Sequence, residues 1–333
     1  MTTVFAVDGG GSKTDAALVR DDGALLGFAR GALSHPHHIG VEASADVLDA
    51  LAVAVGAPAD LAVLLLAGLD FPDEEEAYRA EAERRGWARE VVAGNDTYAV
   101  LRAGSERGWG VAVTCGAGIN CVGVAPDGRT LRFPSLGLNS GDWGGAGDVG
   151  RAAVWAAARS EDGRGPRTAL ERVVLDHFGA ADTVELARAL HSGDVSQLRL
   201  GELAPLVFAA AESDAVAGEI VDRQAAEVVA MAGAALRRLG LAEEPVEVVL
   251  GGGLLQSGNE RLLGGVEAGL HRIGSAVTMR VARSRPIVGA ALLGLDRLGA
   301  SPEAQERARE ELDRATASVG DVAGDAPPVG ELA

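Results

Sequence analysis

Residues 4–19 read Val-Phe-Ala-Val-Asp-Gly-Gly-Gly-Ser-Lys-Thr-Asp-Ala-Ala-Leu-Val, a strand, a glycine-rich turn and a second strand. A P-loop or a dinucleotide-binding turn would lead into a helix, whereas the residues after Thr14 alternate as in a strand. The segment therefore predicts a β-hairpin whose glycines let a phosphate approach the backbone N–H groups. Asp8 is well placed to hold Mg²⁺ through water. From these residues alone, an ordinary glycine-rich turn remains the alternative.

Composition narrows the class of protein. The 333 residues, 47% of them hydrophobic, exceed the usual size of one core and predict two domains. A net charge of −18 opposes binding to nucleic acid, and no apolar run is long enough for a membrane span. Since the N-terminus enters a strand without a basic leader, we expect a cytoplasmic protein. Cys115 and Cys121 are expected to be buried thiols.

The second half of the chain repeats the opening pattern. Residues 110–114 predict a strand, Cys115-Gly-Ala-Gly118 a turn and residues 119–124 a second strand. Strands and helices alternate after both hairpins, which indicates an α/β fold with an internal duplication.

Further motifs follow in a fixed order: Gly94-Asn-Asp96, Gly141-Asp-Trp-Gly-Gly145, Gly147-Asp148, Gly251-Gly-Gly253 and Pro286-Ile-Val-Gly-Ala-Ala291. With the two hairpins, this order resembles the acetate kinase, sugar kinase and actin superfamily over about residues 3–299. Within it, the chain is similar to the BadF/BadG/BcrA/BcrD-type ATPase and N-acetylglucosamine kinase family. The resemblance implies two actin-like (ribonuclease H-like) domains with mixed β-sheets flanked by helices, and ATP with Mg²⁺ in an interdomain cleft.

The resemblance also implies domain boundaries. The N-terminal ATPase domain is expected over 1–107, completed by a helix at 286–300. The C-terminal domain, with the sugar-binding loop and a helical insertion, is expected over 108–285. Residues 301–333 are expected to be a polar tail, partly disordered, in which 303–316 could form a helix. Similar proteins are commonly homodimers.

Asp96 is the residue expected to carry the chemistry. It follows a short strand and precedes a helix, where α/β folds place groups that face a ligand. In the similar kinases this aspartate takes the proton of the acceptor hydroxyl as general base. From the local residues alone, Asn95 or Asp96 could instead cap the helix.

The resemblance assigns the nucleotide to three glycine runs. The two hairpin turns would hold the phosphates, and the third run would contact adenosine unless it is a plain loop. The implied cofactor-binding residues are Asp8, Gly10, Gly11, Ser12, Lys13, Thr14, Thr114, Gly116, Ala117, Gly118, Gly251, Gly252 and Gly253. The family often carries Gly-Thr-Gly-Ser in the second turn, so Ala117 and Ile119 remove two hydroxyl donors.

The expected sugar-binding residues are His35, Asp96, Asn120, Asp142, Trp143, Gly144 and Asp148. His35 stands where similar kinases usually offer an asparagine, and Val149 replaces a glutamate that commonly follows the family's aspartate. Trp143 could cover an apolar sugar face or belong to the core. The histidines at 35, 37 and 38 suggest a metal site, but the sequence shows no fixed carboxylate partner.

These residues predict ATP-dependent phosphorylation of an amino sugar or hexose. N-acetylglucosamine or glucosamine is favoured, and the resemblance implies the 6-hydroxyl. One alternative is an ATPase that activates an acyl-CoA dehydratase or reductase, but two close cysteines are unsuited to its iron–sulfur cluster. The other is a non-catalytic regulator that binds nucleotide or sugar.

Overall fold

The computed structural model describes residues 1–319, so the last part of the expected tail lies outside the described residues. The chain divides into two compact units. The first comprises Met1–Ala112 with the described chain from Ala282 onward, and the second comprises Val113–Val281. The divisions therefore fall at 112/113 and 281/282, a few residues from the expected 107/108 and 285/286.

Ten strands and thirteen α-helices make up the described chain. The strands are β1 (Thr3–Gly9), β2 (Thr14–Arg20), β3 (Leu25–Gly31), β4 (Ala59–Leu66), β5 (Ala88–Gly94), β6 (Gly110–Cys115), β7 (Ile119–Val124), β8 (Thr130–Arg132), β9 (Val246–Gly251) and β10 (Val277–Val281). The helices are α1 (Pro36–Ile39), α2 (Val41–Val55), α3 (Pro72–Arg85), α4 (Thr97–Gly104), α5 (Ala146–Glu161), α6 (Leu170–Phe178), α7 (Thr183–Ser192), α8 (Ala204–Ala210), α9 (Ala215–Leu239), α10 (Gly253–Gln256), α11 (Glu260–Ile273), α12 (Pro286–Arg297) and α13 (Pro302–Ser318).

The first sheet has the order β3-β2-β1-β4-β5 and is mixed. Strands β1, β2 and β3 pair antiparallel, whereas β1, β4 and β5 run parallel. Phe5 and Val7 belong to a core with α2 and α3, while Val4 and Ala6 belong to a second core with α12 and α13. Because side chains alternate between faces along a strand, Asp8 lies on the side of Val4 and Ala6.

The second sheet repeats this order as β10-β9-β6-β7-β8. Each sheet places its opening hairpin strand in the centre, with the next two strands on one side and two later strands on the other. The two later strands, β9 and β10, are parallel, as β4 and β5 are. The predicted α/β fold with mixed sheets is confirmed, and the internal duplication is confirmed as a shared strand order.

Two glycines of α12 allow close packing in the first unit. A Cβ added at Gly289 would lie 1.9 Å from the carbonyl oxygen of Ala99 in α4, and one at Gly294 would lie 2.3 Å from Val4. Neither site has room for a side chain. Helix α12 is therefore packed directly on α4, which begins next to Asp96, and on β1, which contains Asp8.

Helix α13 is an integral part of the first unit. Ala308 and Leu312 are fully buried in the core of the first sheet, and Glu311 accepts a hydrogen bond from the backbone amide of Leu25 at 2.8 Å. Ser301 caps the helix through the Ala304 amide. The expected polar tail is in this part a helix with one buried stripe, because its apolar residues recur at helical spacing.

Candidate active site

Three carboxylates lie at the carboxyl end of the parallel strands in the first sheet. Asp8 pairs in register with Leu65, and Leu65 pairs with Gly94. Asp96 lies two residues beyond Gly94, and Asp70 follows β4. Since parallel strands end at one edge, the register accounts for the grouping of these acids at a typical ligand position.

The side chain of Asn95, rather than that of Asp96, caps the start of α4. The Asn95 Oδ1 accepts a hydrogen bond from the Thr97 amide at 3.0 Å, and its Nδ2 donates to Asp70 Oδ1 at 2.9 Å. Asp96 stands at the N-cap position but makes no side-chain capping bond. The capping alternative therefore applies to Asn95.

The environment disfavours the charged forms of two of these acids. Burial raises the pKa of Asp96 to about 6, and the negative charge of Asp70 adds to this, while hydrogen bonds from Thr97 oppose it. Burial also raises the pKa of Asp8 well above its usual range, with the charges of Asp96 and Asp15 adding to the effect. A cation bound beside Asp8 would relieve this repulsion.

The first glycine turn contains glycines of two kinds. A Cβ at Gly9 would lie 2.2 Å from Leu66, so the packing of the sheet requires glycine there. A Cβ at Gly11 would meet nothing closer than 4.0 Å, and Gly11 and Ser12 are exposed. Thr14, expected to bind nucleotide, is fully buried and donates its hydroxyl to Ser34 at 2.7 Å.

His35 lies on the loop that this hydroxyl holds. Its ring stacks on His38 with centroids 3.9 Å apart, and a Cβ at Gly68 would lie 2.4 Å from the ring. Burial, with the neighbouring histidines, lowers the pKa of His35 to about 4, so the imidazole is neutral at pH 7. Within residues 1–319 its buried Nδ1 has no hydrogen-bond partner. A buried nitrogen without a partner is a candidate hydrogen-bonding group for a ligand.

The structure supplies the carboxylate partners that the histidine loop lacked in sequence. Ligand atoms of His37, Asp70 and Glu74 lie within 4.8 Å of one another. Glu74, however, already accepts hydrogen bonds from the Asp70 and Phe71 amides and from His37 Nε2, at 2.8, 3.0 and 2.7 Å. Capping of α3 and a surface ion pair account for this group.

The second glycine turn is braced by the start of α5. The carbonyls of Gly116 and Ala117 accept hydrogen bonds from the Ala146 and Gly147 amides at 2.8 and 3.0 Å. A Cβ at Gly116 or Gly118 would meet nothing within 4 Å, and neither residue has a positive φ. Because neither packing nor backbone conformation requires glycine there, the open space suits a close ligand.

The expected sugar loop is held against this turn. A Cβ at Gly145 would lie 2.4 Å from the Gly118 Cα, and the Gly145 amide donates to Gln224 Oε1 at 2.9 Å. Gln224 is fully buried on α9. Gln224 thus fixes the loop relative to the turn through a hydrogen bond that the sequence did not indicate.

The acids of this loop have internal partners. Asp148 accepts from the Gly144 amide at 2.9 Å and pairs with Arg151 at 2.9 Å. Asp142 is 8% exposed and accepts the hydroxyl of Ser140. Sugar hydroxyls would have to add to these partners or replace them.

Trp143 and Asn120 also contact other residues of the protein. Trp143 is 8% exposed, and the Arg223 guanidinium lies 4.0 Å from the centre of its ring. Asn120 Oδ1 accepts hydrogen bonds from the Cys121 amide at 2.7 Å and the Ser135 hydroxyl at 2.5 Å. In this conformation Trp143 is chiefly a packing residue of the second unit.

The family model of the BadF/BadG/BcrA/BcrD ATPase family matches residues 6–294. The chain belongs to this family. Two curated relatives of this ATPase are kinases. The N-acetylmuramic acid/N-acetylglucosamine kinase of Clostridium acetobutylicum is 26% identical, covering 78% of this chain and 87% of the relative. The N-acetyl-D-glucosamine kinase of Dictyostelium discoideum is 23% identical, covering 76% and 85%.

Solved structures agree with the family. A candidate N-acetylglucosamine kinase from Chromobacterium violaceum is 26% identical with a TM-score of 0.64, covering 88% of this chain and 99% of that one. A ROK family glucokinase from Streptomyces griseus, solved with glucose and AMPPNP, is 20% identical with a TM-score of 0.55. It covers 87% of this chain and 98% of its own, and it shows the fold alone. The chain is a kinase of this ATPase family and uses ATP.

The third glycine run, residues 251–253, packs against strand β6 of the second sheet. Gly252 has φ 84°, and a Cβ there would lie 2.5 Å from the backbone carbonyl of Cys115. At Gly253 an added Cβ would meet nothing within 4 Å. The fold itself therefore requires Gly252, while Gly253 leaves space for a ligand.

The cysteines of this family member are buried, as expected. Burial raises the pKa of Cys115 to about 12 and that of Cys121 well above its usual range. Because metal clusters bind thiolates, two such thiols are poor cluster ligands. Residues 1–319 also include no helix that is long and apolar enough to cross a bilayer.

Sequence reasoning missed Asp70, Gln224 and the pair Asp15 and Arg30. Gln224 lies on the apolar stripe of α9, where a lone polar residue was a visible signal. Asp15 and Arg30 interrupt strands that are otherwise apolar, but only the strand register shows that they meet. Asp70 had no local signal.

Proposed function

We propose that this kinase transfers the γ-phosphoryl group of ATP to a hydroxyl of an amino sugar or hexose. N-acetylglucosamine or glucosamine is the favoured acceptor, at its 6-hydroxyl. The observation that carries the proposal is Asp96, a carboxylate free of capping duty whose pKa is raised to about 6 at a ligand-binding sheet edge. The names of the two curated relatives support the sugar class.

The residues divide the reaction between them. Asp96 accepts the proton of the acceptor hydroxyl while that oxygen bonds to the γ-phosphorus, and the bond from phosphorus to the bridging oxygen breaks to release ADP. Asp8 would hold Mg²⁺ through water, since the negative charges of the nearby acids favour a cation there. Bound Mg²⁺ neutralises phosphate charge. The open turns at Gly11 and Gly118 would bind phosphate oxygens through backbone amides.

Several further residues are proposed to contact the acceptor. The orphaned Nδ1 of His35 supports a hydrogen bond with a sugar hydroxyl. Asp142, Asp148 and Asn120 remain proposed sugar ligands that would exchange some of their internal partners. Trp143 and Gly144 would shape this loop.

The test is sugar-dependent ADP release with Mg-ATP across N-acetylglucosamine, glucosamine, N-acetylmannosamine, glucose and mannose. We expect turnover with an amino sugar and a collapse of that rate in Asp96→Asn. ATP binding without turnover on any of these sugars would overturn the proposal in favour of another acceptor or a binding-only role.

Light scattering on the same sample tests the proposed homodimer.

Lys13 provides a direct reading of nucleotide binding, because it is the only lysine in the sequence. Reductive methylation with ¹³C-formaldehyde would label this amine and the N-terminus alone. We expect the Lys13 signal to shift on addition of Mg-ATP. A spectrum unchanged at saturating nucleotide would argue against phosphate binding at the first turn.

A further inference from the structure

A row of three charged residues crosses the first sheet. Asp8 on β1 pairs in register with Asp15 on β2, and Asp15 pairs with Arg30 on β3. Residues directly opposite in antiparallel strands carry their side chains on the same face within contact distance. The row therefore runs from the proposed metal-binding acid on the central strand β1 to Arg30 on the edge strand β3.

Asp15 and Arg30 form a buried ion pair. Their side chains are 2% and 7% exposed, and two parallel hydrogen bonds of 2.6 and 2.8 Å join the guanidinium to the carboxylate. Burying two charges costs more than burying an apolar pair of similar size. Stability alone therefore does not account for a charged pair at the end of an apolar stripe.

Helix α13 fixes the other side of Arg30. The Arg30 Nη1 donates to the carbonyl oxygen of Val319, directly after this helix, at 3.0 Å. Helix α13 lies beyond residue 294, where the family match ends. An element outside the family match thus holds the guanidinium in place, and the guanidinium holds Asp15 beside Asp8.

We propose that Asp15 and Arg30 are positioning residues for the nucleotide site, which keep the Asp8 carboxylate turned toward Mg-ATP. This inference rests on the proposed role of Asp8. Asp15 without its partner would repel Asp8, and Arg30 without its partner would attract Asp8 away from the cation. The pair as a whole is neutral and does neither.

A double-mutant cycle on the full chain tests this inference. Mg-ATP affinity is measured by calorimetry for Asp15→Asn, Arg30→Met and the double variant. Each single change leaves one unbalanced charge near Asp8, so we expect affinity to fall about tenfold. The double variant should return to within about threefold of the parent.

Arg102→Met is the matched control. Arg102 is 5% exposed and forms a similar two-bond pair with Asp296 in the same unit. It should lower thermal stability, though less than Arg30→Met because the Asp296 side chain is 38% exposed, and it should leave Mg-ATP affinity unchanged. If Arg30→Met does not fold, Arg30→Lys, which keeps the charge but not the fork, should weaken affinity about threefold.

The inference is overturned if the Asp15 and Arg30 variants lose stability but bind Mg-ATP like the parent. It is also overturned if the double variant binds as weakly as the product of the single effects. Parent protein that binds Mg-ATP but phosphorylates no sugar would contradict only the proposed acceptor. Parent protein that binds no Mg-ATP would overturn both proposals.

Discussion

The two glycine turns occupy equivalent places in sheets of the same strand order, yet they differ in chemistry. The turn at Gly9–Lys13 is surrounded by charged side chains, namely Asp8, Asp15, Arg30 and Asp96. The turn at Cys115–Gly118 has no charged residue of its own, and the amides of α5 brace its carbonyls. The same strand order thus supports one turn beside several charged side chains and one turn built of small uncharged residues.

The difference separates two demands of phosphoryl transfer. A backbone turn can bind phosphate by shape, without a titrating group. Proton transfer and metal binding need carboxylates, and the carboxylates proposed for these roles, Asp96 and Asp8, belong to the first unit. Loss of the Asp96 carboxylate should therefore act on the rate, whereas changes in the second turn should act on nucleotide affinity.

The largest expected effect is that of Asp96→Asn. Loss of a general base lowers kcat by about 10²- to 10⁴-fold, while the KM for ATP should stay within about threefold. Steady-state ADP release measures both quantities. Asp73→Asn, an exposed carboxylate on α3, is the control and should be silent. An Asp96→Asn enzyme with the parental kcat would show that Asp96 is not the general base.

The pH profile gives the next largest effect. Asp96 must be deprotonated to accept a proton, and its pKa is about 6. Below that pH, kcat/KM for the sugar should fall about tenfold per unit, and above it the profile should be flat. A profile that stays level down to pH 5 would show that this carboxylate does not limit the reaction.

Gly118→Ala tests the backbone turn. An added Cβ meets no protein atom, so folding should be unaffected, but it would crowd a phosphate at the turn. We expect the KM for ATP to rise about tenfold or more, since one strained contact costs over about 1 kcal/mol. Gly264→Ala on α11, where space is also open, is the control. Equal KM values for both variants would refute phosphate binding at this turn.

Asp96→Asn should also change stability. The raised pKa means that folding disfavours the charged carboxylate above pH 6, and this cost fades as pH falls toward 4. The variant should therefore be about 3 kcal/mol more stable than the parent at pH 7.5 and nearly equal to it at pH 4. Urea denaturation at both pH values measures the difference. Lower stability of the variant at pH 7.5 would contradict the assigned burial.

The smallest expected effect is a gain. Ala117→Thr restores a hydroxyl that the family often carries, at an exposed position. One added hydrogen bond is worth about 0.5–1.5 kcal/mol, so the KM for ATP should fall about two- to tenfold. Ala117→Val, equal in shape, controls for packing. If the valine variant gains as much, the hydroxyl is not the cause.

Much of the fold was predictable because the local signals agree. Central strands such as β1 and β4 were nearly continuous apolar runs, and several helices began at proline or next to an acidic residue and ended near glycine. The tail was harder to read, since a polar helix with one narrow buried stripe resembles a solvated segment. The role of Asp96, which stays a prediction, could be inferred only from an ordered motif set, because Asn95-Asp96 alone is also a capping sequence.

The sequence by itself determined the two hairpins, the order of the elements and the residue types at the turns, because periodicity and glycine placement are local properties. Only the tertiary structure decided which charges meet. Strand register brought Asp15 and Arg30 beside Asp8, and parallel strand ends brought Asp70 to Asp96. Burial then raised the pKa of Asp96 and lowered the pKa of His35. Register and burial depend on the packing of distant segments, which no single stretch of sequence contains.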